Sequence, residues 1–337
     1  MCVTEFLNMS HYYMNKLVYI LFFFIVSKTV LATDDVKITV NSIPIYFKNA
    51  KTINKHSTRI PFKLVDRLIV IEGEIKNKIG NFIIDTGSET MLLNKVHFKT
   101  YPFEKEKKNT TGIIDFVDNP YEKRIKNLSL KDFTLHNKKS DIINLSHIEK
   151  SKKIKLLGII GFSILKDYEV FIDLHLHQIT LTKIDSQGNT LSKEVYLEKI
   201  VDSLDFKLKK HTIVVNGFIG NEKVTFGLDS GAEFNQINKR ISKKALQHFY
   251  PKKRVQLMGA SKRKIEVLCG NLFRVKLNDK IYFGPMKTML TSLYNMNKAF
   301  GTNLDGILGY DFFAQKRVII NYKKEKLYFI NYPLIRN

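Results

Sequence analysis

Apolar residues along this chain fall in short runs, mostly five to seven positions, that are rich in Ile, Val, Phe and Tyr and bounded by Gly, Asn, Asp or Lys. Arg67 to Glu72, Lys78 to Ile84, Glu169 to Leu174, His211 to Val215 and Arg317 to Tyr322 are of this kind. Runs this short, enriched in β-branched and aromatic residues and punctuated by turn formers, predict strands. Glu74 to Gly80 and Phe218 to Lys223 carry the Gly and Asn that tight hairpin connections require. Helical spacing is scarce; Ser192 to Leu204 and Ile241 to Phe249 are the two segments that predict short amphipathic helices. The expectation is an all-β chain with minor helix.

The pattern repeats. At an offset of 144, Phe62 meets Phe206, Leu64 meets Leu208, Gly73 meets Gly217, Phe82 meets Phe226, Asp85 meets Asp229 and Asn94 meets Asn238. Farther on the offset becomes 148, where Leu157 to Phe162 faces Asp305 to Tyr310 and Val170 faces Val318. Two copies in the same order predict tandem halves of one architecture. The boundaries that follow are an N-terminal segment over 33–60, a first half over 61–184, a polar linker over 185–210 and a second half over 211–337.

In each half an apolar strand stops abruptly at an aspartate, a small hydroxyl residue and a glycine: Asp85-Thr86-Gly87-Ser88 and Asp229-Ser230-Gly231-Ala232. Such an ending lifts a carboxylate onto a tight turn, and the glycine lets that turn approach another segment closely. One such triplet is weak evidence, whereas two in register within a repeat are not. Each half also carries a glycine-aliphatic-aliphatic-glycine element, Gly158 to Gly161 and Gly306 to Gly309.

These two motif pairs resemble the active-site triplet and the hydrophobic-hydrophobic-glycine element of the aspartic proteases. The halves look more like compact retropepsin-type domains, as in bacterial gag-like aspartyl proteases, than like larger pepsin lobes. The resemblance implies an all-β fold of two tandem retropepsin-like β-barrel halves related by a pseudo-twofold axis, with the active site at their interface. It implies an aspartic endopeptidase with Asp85 and Asp229 as the catalytic pair, supported by Thr86, Gly87, Ser88, Ser230 and Gly231. Thr86 and Ser230 would cross-link the loops through hydroxyl-to-backbone hydrogen bonds. The Ser88 hydroxyl would reach the Asp85 carboxylate, which Ala232 cannot do for Asp229. The chemistry calls for no cofactor and no metal: two adjacent carboxylates that share one proton supply both a base and an acid. Flap hairpins are expected at Thr111 to Val117 with a turn at Asp118-Asn119-Pro120 and Tyr121 onward, and at Val255 to Leu268. A protease-like protein that binds peptide or envelope polymer without cutting is the alternative.

Composition narrows the setting. Met14 to Lys16, the ten apolar residues Leu17 to Val26, and Val30-Leu31-Ala32 make the three-part pattern of a secretory signal over 1–32, with Met9 and Met14 as alternative starts. The apolar run is about half of the ~20 residues that span a bilayer, so removal after Ala32 is expected, an uncleaved signal anchor being the other reading. The expected location is therefore periplasmic, envelope-associated or secreted, with no integral span in the mature protein. Beyond residue 32 only Cys269 remains, which excludes internal disulfides and metal sites built on paired cysteines. The net charge of +23 arises from lysines spread throughout, with no helix-turn-helix, zinc-finger or RNP-like pattern, so no nucleic-acid partner is expected. His175 and His177, read as strand neighbours at period two, lack a third ligand and are assigned to a solvated face. The expected partner is a peptide or protein substrate. Because one chain carries both motifs the expected state is a monomer, although equivalent halves of two chains pairing with each other would also complete the site.

Overall fold

The computed structural model describes residues 51–99, 121–130, 133–192, 195, 199–258 and 264–331, with strand fragments at 18–19, 25–26, 105–106, 110–111 and 116–117. The signal pattern, most of the first expected flap and the tip of the second at 259–263 lie largely or wholly outside the described residues.

Within the first half, Leu68–Ile75 and Lys78–Ile84 form an antiparallel hairpin. Its turn residues Lys76 and Asn77 sit at φ 48° and 61°. Two successive left-handed residues match the right-handed twist of the flanking strands, which is why two-residue hairpins favour them. Leu156–Ile160 runs parallel to Lys78–Ile84 and antiparallel to Met91–Asn94, and all five of its residues are buried. Gly158 permits that insertion, because a Cβ there would collide with the Leu92 carbonyl. Thr134–Ile143 and Tyr121–Ser129 continue the sheet, and Ser129 pairs back to Glu74 of the opening hairpin, closing it into a barrel.

The second half repeats this plan with Thr212–Ile219, Glu222–Leu228, Asn235–Asn238 and Gly306–Leu308 in the corresponding places. Short helices also recur: Ser146–Lys152 matches Tyr294–Phe300, and Phe162–Leu165 matches Tyr310–Gln315. The expected all-β fold of two tandem barrel-like halves is what the structure has.

A seven-stranded sheet joins the halves in the order Ile200–Asp205, Lys326–Ile330, Arg317–Asn321, Tyr168–Asp173, Gln178–Lys183, Ser57–Pro61, Lys51–Asn54. Its centre is the antiparallel pairing of Tyr168–Asp173 with Arg317–Asn321, in which Val170 faces Ile320, Phe171 faces Ile319 and Ile172 faces Val318. These are equivalent strands of the two halves, so the pseudo-twofold axis passes through this pair. One hydrophobic cluster runs continuously from Phe62 and Phe82 through Val170 and Val318 to Phe226 and Phe312, so the halves share a core. Asp173 and Arg317 are locked in the same sheet, Arg317 Nη2 lying 2.6 Å from Asp173 Oδ2 with both side chains buried. Among the described residues no helix is long and apolar enough to cross a membrane.

Three expectations need correction. The described end of the Ser192 to Leu204 segment is not helical: Ile200–Asp205 is a strand on Lys326–Ile330, and a segment this short takes its conformation from the partner it meets. Ile241 to Phe249 contains one helical turn, Lys243–Leu246, before Phe249 enters a long strand. His175 and His177 lie in the turn after Tyr168–Asp173 rather than on a strand, and the His177 ring stacks on Phe62 at 5.6 Å.

Candidate active site

Lys78–Ile84 and Glu222–Leu228 both end at an aspartate, and the same devices hold each turn. The Asp85 amide donates to the Ile160 carbonyl at 3.0 Å, and the Asp229 amide to the Leu308 carbonyl at 3.0 Å. Phe162 N then donates to Ser88 O at 2.7 Å, and Tyr310 N to Ala232 O at 2.9 Å. The glycine-aliphatic-aliphatic-glycine elements are thus the backs of the two loops. Their last glycines lie against the loop backbones, and a Cβ on Gly161 would come within 2.5 Å of Ser88 O.

The loops meet across the pseudo-axis. Thr86 N donates to Ser230 Oγ at 3.0 Å, and Ser230 N donates to Thr86 Oγ1 at 2.9 Å. Ser230 Oγ donates in turn to Ile84 O at 3.0 Å, carrying the bond into the opposite strand. Gly231 is packed so closely that a Cβ would stand 2.5 Å from Asp85 Cγ. This is the loop arrangement that the resemblance to the aspartic proteases implies. The reciprocal cross-link brings Asp85, Thr86, Gly87 and Ser88 against Asp229, Ser230 and Gly231 in one buried cluster.

Asp85 is completely buried and Asp229 is 2% exposed. Asp85 Oδ1 accepts from Gly87 N at 2.8 Å and Ser88 N at 3.0 Å, while Asp229 Oδ1 accepts from Gly231 N at 2.8 Å. Oδ2 of each carboxylate is buried and, among the described residues, has no donor apart from the facing aspartate. Burial, then the charge of Asp229 and the hydrogen bond between the two, raises Asp85 well above the usual carboxylate range against the pull of the Gly87 and Ser88 amides. Burial lifts Asp229 to about 6, opposed by the Asp85 hydrogen bond and by loop amides. Two carboxyls this deep cannot both ionise easily, so the pair titrates as a unit and holds a proton at weakly acid pH. The arrangement can present one carboxylate and one carboxylic acid to the same small molecule.

Ser88 does not act as anticipated. Its hydroxyl donates to Thr90 O at 3.0 Å, leaving only its amide on Asp85, because the loop backbone already covers Oδ1. Of the first expected flap, Thr110–Thr111 pairs with Phe116–Val117, Tyr121 with Glu106 and Glu122 with Lys105, and the expected turn at Asp118-Asn119-Pro120 lies outside the described residues. The second is a long hairpin, Phe249–Met258 on Lys264–Leu272, with Leu257 buried and Val255 and Ile265 packed beside Ala232 and Phe234.

Sequence reasoning missed several groups at the site. Tyr322 is buried beneath it with a hydroxyl that meets no partner, and burial followed by the charges of Asp85 and Asp229 pushes its phenol upward. Its counterpart at offset 148 is Leu174, so the repeat held no signal for it. Lys152, Glu233, Arg67 and His211 also converge on the loops from the opposite halves.

No family profile matches the sequence, and no curated protein matches it. Among solved structures, a retropepsin-like aspartic protease from Rickettsia conorii is similar at 16% identity over 37% of this chain and 88% of its own, with a TM-score of 0.26. An aspartic proteinase from Irpex lacteus is similar at 10% identity over 82% of this chain and 97% of its own, with a TM-score of 0.48.

Proposed function

We propose that this chain is an exported aspartic endopeptidase that hydrolyses peptide bonds with a water activated by Asp85 and Asp229. The observation that carries the reading is the pair of buried, cross-linked aspartates, each with one oxygen fixed by loop amides and the other with no donor among the described residues apart from the facing aspartate. With one proton on the pair, the ionised carboxylate takes a proton from water as its oxygen bonds to the peptide carbonyl carbon. The protonated carboxyl gives its proton to the carbonyl oxygen. A tetrahedral diol results. Proton transfer to the amide nitrogen then accompanies C–N cleavage, releasing an acid and an amine and returning the pair to one proton. Thr86 and Ser230 keep the two carboxyls in register, and Gly231 allows their approach.

Hydrolysis of an internally quenched peptide library from pH 3 to 7, with sensitivity to a statine-type inhibitor, tests the proposal. Asp85→Asn, Asp229→Asn and the double variant should all fall to one low residual rate, since groups acting as a unit fail together. Full activity in Asp229→Asn would defeat the two-halved mechanism. Inhibitor binding by a wild-type protein that cuts nothing would favour a peptide-binding role. Specific activity that holds on dilution supports a monomer. Recovery of a chain beginning at Thr33 from the envelope or medium supports export, and an intact Met14 terminus would instead mark an anchor.

A further inference from the structure

Each aspartate loop is braced by side chains from the opposite half, and the two braces differ in kind. Glu233 follows Asp229 by four positions and is 3% exposed. Its partner is Lys152, the last residue of the Ser146–Lys152 helix of the first half, whose Nζ lies 2.5 Å from Glu233 Oε1 with the side chain 1% exposed. The same ammonium lies 3.2 Å from Asp66 Oδ2. Asp66 and Arg67 form a turn at φ 47° and 74°; aspartate is common at the first left-handed position, but arginine stands at the second, where glycine is usual. From this turn Arg67 reaches the second half, lying 3.4 Å from Asp311 Oδ1 and 4.7 Å above the Phe234 ring.

At the pseudo-equivalent place, Glu233 becomes Glu89, Arg67 becomes His211 and Lys152 becomes Phe300. His211 Nδ1 stands 3.9 Å from Glu89 Oε2, and the ring meets Phe300 edge-on at 5.1 Å. Burial, with Lys210 beside it, holds His211 down at about 3, so the ring is neutral. Burial lifts the Glu233 carboxyl to about 8, opposed first by the charge of Lys152, so one loop is braced by a buried ammonium-carboxyl contact and the other by a neutral aromatic pair.

A buried ammonium and a buried carboxyl each lose heavily if left without a polar partner, and the contact therefore tolerates little displacement. A left-handed turn maintained without glycine at a functional site likewise implies that its surroundings hold it there. We infer that Lys152, Glu233 and the Asp66-Arg67 turn form a positioning device that sets the Asp229 loop against the first half and makes the two aspartates inequivalent. None of these side chains touches the carboxylates. They act through the loop that carries Gly231 N to Asp229 Oδ1 and Gly231 Cα to Asp85. The inference rests on the proposed protease reading for its kinetic consequences, but not for its titration.

The test uses the full mature chain with Lys152→Met/Glu233→Met, which removes both buried polar ends of the contact without stranding one, together with the conservative Lys152→Arg. Glu89→Gln serves as the control on the neutral side. Two readouts are taken: kcat and KM on a cleaved peptide, and the titration of the two aspartate carboxyls by 13C NMR of Asp-labelled protein. The double variant should remain folded, lose roughly tenfold to a hundredfold in kcat with KM little changed, and shift the carboxyl titration. Lys152→Arg should restore much of both, and Glu89→Gln should alter neither. An unshifted titration with unchanged kcat in a folded double variant would overturn the inference and leave the cluster a plain packing contact. If the wild type cleaves nothing, the protease reading fails, while the carboxyl titration still decides the positioning role. Should the double variant fail to fold, the same titration in Glu233→Gln decides it, an unshifted curve again overturning the inference.

Discussion

Gly231→Ala measures how closely the two loops must approach. The added Cβ would stand 2.5 Å from Asp85 Cγ and 2.7 Å from each of its carboxyl oxygens. Unstrained contacts between such atoms lie at roughly 3.5–4.0 Å, so about 1 Å of displacement is required. Asp85 has little freedom to supply it, because Gly87 N and Ser88 N pin Oδ1. Gly231 does not have the left-handed backbone that alanine resists, so the effect is steric alone. Overpacking of this kind costs about 1–3 kcal/mol of stability, and a 1 Å error in a reacting group costs on the order of a hundredfold in rate. The assay is kcat/KM on a quenched peptide with urea unfolding of the same preparation. Gly301→Ala is the matched control: φ is 65° and nothing lies within 4 Å of the added Cβ, so stability should fall by about 1 kcal/mol with activity intact. Undiminished activity and stability in Gly231→Ala would refute the close approach of the loops and, with it, the shared proton.

Three further outcomes are expected. The folded pKa of Asp229, raised to about 6, and that of Asp85, raised well above the usual carboxylate range, mean that the native state binds more protons than the unfolded chain above about pH 4. Stability is then fully present below the unfolded carboxyl range and falls as pH rises through about 6; differential scanning at pH 4.5 and 7.5 should show the lower Tm at 7.5, with the drop reduced in Asp229→Asn, and a wild-type Tm that rises with pH would contradict the assignment. Ser230→Ala removes both the acceptor of Thr86 N and the donor to Ile84 O in a buried site; it should cost roughly 1–3 kcal/mol in urea unfolding, and a cost near zero would count against the cross-link. Arg317→Met strands Asp173, which is wholly buried; the loss should be about 3–5 kcal/mol with activity per folded molecule retained, and a simultaneous collapse of kcat would show that the shared sheet also sets the active-site geometry.

Some of this was legible without coordinates because it is written locally. The hairpin Glu74 to Gly80 is a strand-turn-strand whose signals lie within a few residues, and the structure places its turn at Lys76 and Asn77. Asp85 and Asp229 could be picked out because a strand end, a hydroxyl and a glycine are adjacent in sequence, and because the repeat supplied the second example. The Ile200–Asp205 strand was misread because its only support is Lys326–Ile330, more than a hundred residues away. The Ser88 hydroxyl was misassigned because Thr90 O and Asp85 are both near in sequence, and only the fold of the loop selects between them.

By itself the amino-acid order determined the β-rich class, the duplication and the identity of the facing aspartates, since periodicity, spacing and turn chemistry are local quantities repeated twice. The tertiary structure alone decided the shared sheet, the burial that lifts both carboxyls, and the inequality of the two sides. Those depend on which distant residues meet. Lys152 and Phe300 occupy equivalent positions in the repeat, yet one brings a charge to Glu233 and the other an aromatic edge to His211. Interaction energy depends on distance and on exclusion of water, and neither is set until the halves close on each other.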